Sequence, residues 1–96
     1  MKNPEPGSLF GDFQIIRQLG SGAMGLVYEA QHPLLGTQAV VKVLKKSLRT
    51  DPIAKRRMVT EGQTLSALVH RNVVRVIGFG HLGDGRPWLM MERLVG

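Results

Sequence analysis

A glycine-rich stretch, Gly20-Ser21-Gly22-Ala23-Met24-Gly25, sets the strongest limit on how this chain can fold. It follows the pattern G-x-G-x-x-G and lies between two segments rich in β-forming residues, Phe10 to Leu19 and Leu26 to Gln31. Both segments predict strands. Two strands joined by a short glycine-rich connection predict a β-hairpin.

The same glycine pattern occurs in two unrelated kinds of nucleotide site, and the residues that follow it separate them. A Rossmann site requires a helix directly after the glycines and an acidic residue about 20 positions later. Here a strand-like segment follows, and positions 37 to 50 contain no carboxylate, so the Rossmann interpretation is excluded.

A hairpin whose tip folds over phosphates is the remaining nucleotide site. Glycines suit such a tip because a Cβ would hold the backbone away from the anion and forbid the φ values that the tip requires. An ordinary glycine-rich hairpin without a ligand is the alternative at this point.

A helix is predicted in the second half of the chain. Asp51-Pro52 is a helix-start signal, because aspartate can cap free amides and proline is tolerated in the first turn. Beyond it, a set of residues recurs at helical spacing and therefore shares one face. These residues are Ala54, Met58, Glu61, Leu65 and Leu68.

Short apolar runs on both sides of this helix predict further strands. Ala39 to Leu44 is expected to be buried on both faces, and Val73 to Ile77 and Pro87 to Glu92 follow the helix. The predicted fold is α+β, a five-stranded, mainly antiparallel sheet with one packed helix, in the order β-β-β-α-β-β. We expect one domain over residues 13–96, after a flexible segment over residues 1–12.

Two ionisable residues stand among apolar neighbours. Lys42 lies in an apolar strand, and Glu61 lies on the helix face that carries Met58 and Leu65. A buried charge without a partner is costly, so each residue requires an opposite charge nearby. A lysine that faces water from an edge strand is the alternative. We predict that Lys42 and Glu61 form an ion pair.

Taken in order, these motifs resemble the N-terminal lobe of the eukaryotic-like protein kinases, and they are most similar to the Ser/Thr kinases of bacteria. The resemblance runs from about Phe13 to the last residue. Arg71 stands where proline is usual, and Val40 stands where alanine is commonest. The matching parts are the glycine stretch with Val27, the Val40-Val41-Lys42 strand, Glu61 with the following His70 and Asn72, and the hinge-like Met90 to Gly96.

The resemblance implies an adenine pocket. Met91 matches the gatekeeper residue beside the adenine, and the carbonyl of Glu92 and the amide of Leu94 match the groups that pair with the adenine edge. Three apolar side chains would enclose the ring. They are Leu19, Val27 and Val40.

The resemblance also implies a phosphate site. The amides around Ser21 to Met24 would cover the phosphates, and Lys42, held by Glu61, would contact the α- and β-phosphates. Leu65 and Val76 match the N-lobe members of the hydrophobic column of active kinases. Ordinary core positions are the alternative for both of these residues and for Met91.

Phosphoryl transfer in this family uses further groups. An aspartate receives the hydroxyl proton, and an aspartate and an asparagine hold magnesium, in His-Arg-Asp and Asp-Phe-Gly motifs of a second lobe. Neither motif occurs in these 96 residues, and His70-Arg71-Asn72 lacks the aspartate. We therefore expect no catalytic residue and no metal ligand here, and magnesium ligands only in the C-lobe.

These considerations define the expected function. We expect a fragment of a Ser/Thr kinase that binds ATP and is inactive alone. Its partners would be the C-lobe of the same kinase or of another kinase chain and, in the complete enzyme, a protein substrate. A stand-alone lobe that binds a nucleotide or a kinase without chemistry, and a basic binding module on a kinase scaffold, are the alternatives.

Composition excludes several other classes. The chain has no cysteine, so it contains no disulfide framework. Its polar start lacks the apolar core of a signal peptide, and no apolar run reaches membrane-spanning length, so we expect a cytoplasmic chain without membrane contact. The net charge is +6, but no aromatic residue is interleaved with the basic cluster from Lys42 to Arg57 to stack bases. We do not expect a nucleic-acid partner.

Overall fold

One antiparallel sheet dominates the structure, a computed structural model that describes residues 3–22, 25–67 and 74–93. Side chains are described within these ranges except at 62–67, 74–75 and 93. The described elements are β1 (Leu9–Phe10), β2 (Phe13–Ser21), β3 (Gly25–Gln31), β4 (Gln38–Leu44), α1 (Pro52–Ala67), β5 (Val74–His81) and β6 (Pro87–Arg93). The six strands lie in the order β1-β2-β3-β4-β6-β5. The predicted α+β class is confirmed, with six strands in place of five.

The additional strand arises at the start of the chain. A single strand was expected from Phe10 to Leu19, but Gly11 adopts a positive φ of 60° and turns the chain back. β1 therefore pairs with β2, with Phe10 opposite Phe13. Phe10 is buried, 6% exposed, whereas the flexibility expected of residues 1–12 and the domain boundary at residue 13 stay predictions.

The main core lies on one face of the sheet. Alternate residues of a strand point to the same face, and the buried set on this face is Ile15, Tyr28, Ala30, Ala39, Val41, Val43 and Met90. Phe10 joins this core and packs edge-on against Trp88, with ring centroids 5.2 Å apart. The N-terminal segment thus covers part of this face.

The helix packs beside the other face, at the end of β4. Asp51 Oδ1 accepts hydrogen bonds from the amides of Ile53 and Ala54, at 2.9 and 3.2 Å, which confirms the predicted helix start. Ala54 and Met58 of α1 are buried with Leu44 of β4 in a second, small core. This core fixes the position of α1 against β4.

One face of β4 is less buried than predicted. Ala39, Val41 and Val43 are buried, but Val40 and Lys42 are only half-buried. The expectation of burial on both faces was therefore wrong for Val40 and Lys42. Part of the face that carries them is covered by α1, and the candidate site lies on the part that stays open.

Candidate nucleotide site

The candidate site is built on a row of residues that crosses four strands. Gly20 of β2 lies opposite Val27 of β3, Val27 lies opposite Lys42 of β4, and Lys42 lies opposite Leu89 of β6. Directly opposed residues share a face of the sheet. Gly20, Val27 and Lys42, which are far apart in sequence, are therefore brought onto one surface.

A second row lies two residues further along and faces the same way. It contains Glu29, Val40, Met91 and Val76, which are opposed in that order across β3, β4, β6 and β5. Val40 and Val76 are half-buried, and Met91 is 8% exposed. The predicted adenine-facing residues Val27, Val40 and Met91 thus lie on the surface that carries Lys42.

The predicted ion pair between Lys42 and Glu61 is confirmed. Lys42 Nζ donates to Glu61 Oε1 at 2.6 Å and so joins β4 to α1. The two side chains are 23% and 36% exposed, respectively. The pair is therefore only half-buried, so leaving Lys42 without a partner would cost less than for a deeply buried charge. The Lys42 side chain is partly accessible to solvent.

The hairpin tip is closed by a backbone bond. The Gly22 amide donates to the Gly25 carbonyl at 2.8 Å, and Ser21 lies opposite Leu26. Ala23 and Met24 lie outside the described residues. The bond between Gly22 and Gly25 therefore lies two residue pairs beyond Gly20 and Val27, at the end of the β2–β3 hairpin.

The three glycines of this hairpin serve different purposes. None of Gly20, Gly22 and Gly25 has a positive φ, so the expectation that they are required for their φ values was wrong. A Cβ on Gly25 would lie 3.2 Å from the Val43 carbonyl oxygen and 3.3 Å from Lys42 Cε. A Cβ on Gly20 or Gly22 would meet no other atom of the described residues within 4 Å. Gly25 is therefore tightly packed against β4, whereas the space beside Gly20 and Gly22 is not filled by the described residues.

The remaining predicted site residues have more limited descriptions. Leu19 lies at a register shift between Gln18 and Gly20 and is 48% exposed. Glu92 lies opposite Ala39 in the β4–β6 ladder. Leu94 lies outside the described residues, as do Leu68, His70 and Asn72. Leu65 lies in α1, but its side chain is not described.

Leu89 lies on the same face of the sheet as Lys42 and was missed by sequence reasoning. It lies directly opposite Lys42 and is only 1% exposed, so it is a buried apolar neighbour of the lysine in the sheet. The signal was available, because Leu89 precedes Met91 by two positions in a strand and therefore points to the same face.

In the described ranges, no group of three or more His, Cys, Asp or Glu residues could hold a metal ion. No helix in the same ranges is long and apolar enough to cross a membrane.

Curated relatives are serine/threonine kinases. The chain is 41% identical over 86 residues to serine/threonine-protein kinase PknF of Mycobacterium tuberculosis, which covers 90% of this chain and 18% of PknF. It is 38% identical over 96 residues to serine/threonine-protein kinase pkn2 of Myxococcus xanthus, which covers all of this chain and 11% of that protein. The chain thus spans less than a fifth of the length of these relatives.

Solved structures show the same fold. The PknI kinase domain of Mycobacterium tuberculosis superposes with a TM-score of 0.68 at 30% identity, over 96% of this chain and 37% of that one. The apo form of PpkA-294 superposes with a TM-score of 0.74 at 19% identity, over 98% and 40%, a likeness of fold alone. The family model of the protein kinase domain matches residues 13–96. This chain therefore belongs to the protein kinase domain family.

Proposed function

We propose that this chain is the ATP-binding lobe of a serine/threonine protein kinase. The observation that carries the proposal is the Lys42–Glu61 pair, with an Nζ–Oε1 distance of 2.6 Å, on the open face of the sheet next to the glycine hairpin. A lysine held in this way presents a fixed positive charge to phosphate oxygens. Membership of the kinase family supports the assignment of that charge to ATP.

The remaining roles follow from position on this surface. Gly20 and Gly22 would allow the backbone to approach the phosphates, because nothing among the described residues fills the space that a Cβ would take. Val27, Val40 and Met91 would supply apolar contacts to the adenine ring, together with Leu19. The carbonyl of Glu92 and the amide of Leu94 would bond to the adenine edge, and Ser21, Ala23, Met24 and Gly25 complete the proposed loop.

Titration of the 96-residue chain with a fluorescent ATP analogue tests this proposal. Lys42→Met should weaken binding by about tenfold or more, because hydrogen bonds to charged groups contribute roughly 1.5–3 kcal/mol. Lys46→Met is the matched control, since it removes an equal charge from an exposed position and should leave binding unchanged. Equal effects of the two variants would mean that the analogue is attracted by the positive charge of the surface in general, and not by Lys42 in particular.

Binding to the isolated lobe should be weak. A ligand pocket that encloses most of a nucleotide needs two walls, and the described residues provide a single sheet surface. We expect a Kd well above about 1 μM. Sub-micromolar binding would contradict this expectation and would favour a stand-alone nucleotide-binding module.

We extend the proposal to the complete enzyme, in which ATP supplies the phosphoryl group that is transferred to a protein hydroxyl. Within this lobe, Lys42 would orient the phosphates and Glu61 would hold Lys42 in place. Magnesium ligands and the catalytic base are assigned to a C-lobe, of the same kinase or of another kinase chain, because the family holds them in motifs that these 96 residues do not contain.

An assay with radiolabelled ATP and a generic acceptor protein tests this assignment. The isolated chain should transfer no phosphate above background, because the motifs that position an acceptor hydroxyl in this family do not occur in its sequence. Adding a separately produced kinase C-lobe should restore transfer that is lost in Lys42→Met. Transfer by the purified chain alone, dependent on Lys42, would refute the assignment. A cytoplasmic location and the absence of nucleic-acid binding stay predictions.

A further inference from the structure

Arg86 is buried in a way that the ATP site does not explain. It directly precedes β6, and its side chain is fully buried, 0% exposed. Its Nε donates to Asp84 Oδ2 at 2.8 Å, which neutralises the charge locally. Burying an arginine costs free energy even when it is paired, so its remaining contacts indicate its role in the structure.

One of these contacts continues a strand ladder. Val43 and Trp88 form the last residue pair between β4 and β6, and the next pair would be Leu44 with Pro87. Proline has no N–H to donate. The Arg86 guanidinium donates to the Leu44 carbonyl instead, at 3.2 Å. Arg86 thus holds the end of β4, two residues beyond Lys42.

The same strand end also carries the helix. The Leu44 side chain is fully buried, 0% exposed, against Ala54 and Met58 of α1. Met58 lies three positions before Glu61, about one helical turn. A chain of direct contacts therefore runs from Arg86 through Leu44 to the helix that carries Glu61.

Another contact reaches the start of the chain. The Arg86 guanidinium donates to Asn3 Oδ1 at 2.6 Å, a contact between residues 83 positions apart. Asn3 precedes the region that matches the kinase family model, which begins at residue 13. From Asn3 the chain continues to Phe10, which is buried against Trp88.

We infer that Arg86 is a positioning residue for the Lys42–Glu61 pair and that Asn3, which precedes the region matched by the family model, takes part in holding Arg86. Arg86 fixes the end of β4, the buried Leu44 transmits that position to α1, and α1 places Glu61 beside Lys42. The N-terminal segment thereby contributes to the geometry of the site without touching it.

Amide hydrogen exchange in the 96-residue chain tests the inference without any nucleotide. Asn3→Ala removes one acceptor and leaves the Arg86–Asp84 pair intact. We expect exchange to rise by about three- to tenfold at Leu44 and from Ala54 to Glu61, and to stay unchanged at Ala30, which pairs with Ile15 between β2 and β3. A uniform rise, or no change, would overturn the positioning role.

Arg17→Met is the matched control for this experiment. It breaks the Arg17–Glu29 ion pair, which has an Nε–Oε2 distance of 2.8 Å and involves a guanidinium side chain that is 68% exposed. Exchange at Leu44 and along α1 should not respond to it. A response as large as that to Asn3→Ala would also overturn the inference, because the loss of an unrelated arginine contact would then have the same effect on exchange.

A double-mutant cycle tests whether Arg86 acts through the ion pair, and this second test rests on the proposed function. Arg86→Lys keeps the charge but loses the forked contacts, and it should weaken binding of the ATP analogue by about three- to tenfold. In a Glu61→Gln background, Arg86→Lys should weaken binding of the ATP analogue hardly any further. A full effect in both backgrounds would contradict the inference.

Failure of the proposed function and failure of the role inferred for Arg86 can be told apart. If the unaltered chain binds no ATP analogue, the proposed function fails, and hydrogen exchange still decides the role of Arg86. If Arg86→Lys does not fold, Asn3→Ala replaces it in the cycle, with the same non-additivity expected.

Discussion

Lys42 Nζ and Glu61 Oε1 lie 2.6 Å apart, although the two side chains remain 23% and 36% exposed. The pair joins a strand to a helix across 19 positions of sequence. Solvent screens an ion pair of this kind, so its contribution to folding is small even when its geometry is good. Its geometry is better suited to holding an ammonium group in place than to stabilising the fold.

The first prediction separates these two roles. Lys42→Met should change the free energy of unfolding by less than about 1 kcal/mol, because the carboxylate left behind is still partly hydrated. Urea denaturation of the unaltered chain, Lys42→Met, Glu61→Gln and the double variant would give the coupling energy. A coupling well above about 1 kcal/mol would assign the pair a structural role.

Local sequence signals anticipated much of this lobe. Asp51 caps α1 as its position before Pro52 indicated, since a cap depends only on neighbouring amides. The Lys42–Glu61 pair could be anticipated because two opposite charges among apolar neighbours each need a partner, and each can serve as the partner of the other. The glycine pattern indicated the hairpin, but not the reason for each glycine, because that reason depends on which atoms lie beside it.

Long-range contacts could not be anticipated in this way. Arg86 stands in sequence as one basic residue near a turn and a proline, which usually indicates a solvated position. Its burial depends on Leu44 and Asn3, which lie 42 and 83 positions away. β1 was missed because Gly11-Asp12 lies inside a segment rich in β-forming residues, and the turn there is recognised only from the pairing of Phe10 with Phe13.

The second prediction concerns Tyr28, whose hydroxyl has no hydrogen-bond partner among the described residues. Burial raises the pKa of Tyr28, and this effect outweighs the opposing charge of Arg86. Tyr28→Phe removes a buried, unsatisfied polar atom and should leave the chain equally stable or more stable by about 1 kcal/mol. Chemical denaturation measures this change.

Tyr28→Ala is the control for that measurement. It deletes a ring that is 2% exposed and should destabilise the chain by about 3–5 kcal/mol. Destabilisation of more than about 0.5 kcal/mol by Tyr28→Phe would instead mean that the hydroxyl has a partner, such as a buried water.

The third prediction concerns acid stability. Burial raises the pKa of Asp84, but hydrogen bonds from the Arg86 backbone and side chain, with the charge of Arg86, outweigh burial and hold the pKa below its usual value. A depressed pKa in the folded state gives stability that is complete above the unfolded value of about 3.9 and is lost as pH falls through the folded value. The unaltered chain should therefore lose stability below about pH 4.

Asp84→Asn should flatten that acid dependence. The variant is expected to be less stable than the unaltered chain near neutral pH, because Arg86 is then buried without its carboxylate. The difference between the two proteins should shrink as pH falls, since protonation removes the same charge from the unaltered chain. Denaturation series over pH would show parallel curves if Asp84 made no contribution.

The fourth prediction compares two glycines of one hairpin. Gly25→Ala would place a Cβ 3.2 Å from the Val43 carbonyl oxygen and 3.3 Å from Lys42 Cε. The lysine chain can move, but the carbonyl belongs to a paired strand, so this change should destabilise the chain by about 1 kcal/mol or more. Gly22→Ala meets no other atom of the described residues within 4 Å and should leave stability within about 0.5 kcal/mol or raise it slightly.

At Gly22, the substitution should affect binding of the ATP analogue and not stability. Gly22→Ala should weaken binding in a chain that is as stable as the original, because the new methyl group occupies space proposed for the phosphates. Thermal denaturation and ligand titration on the same samples would separate the two effects. A Gly22→Ala variant with unchanged stability and unchanged affinity would show that the phosphates do not approach this part of the hairpin. The anion site would then have to be placed at Lys42 alone.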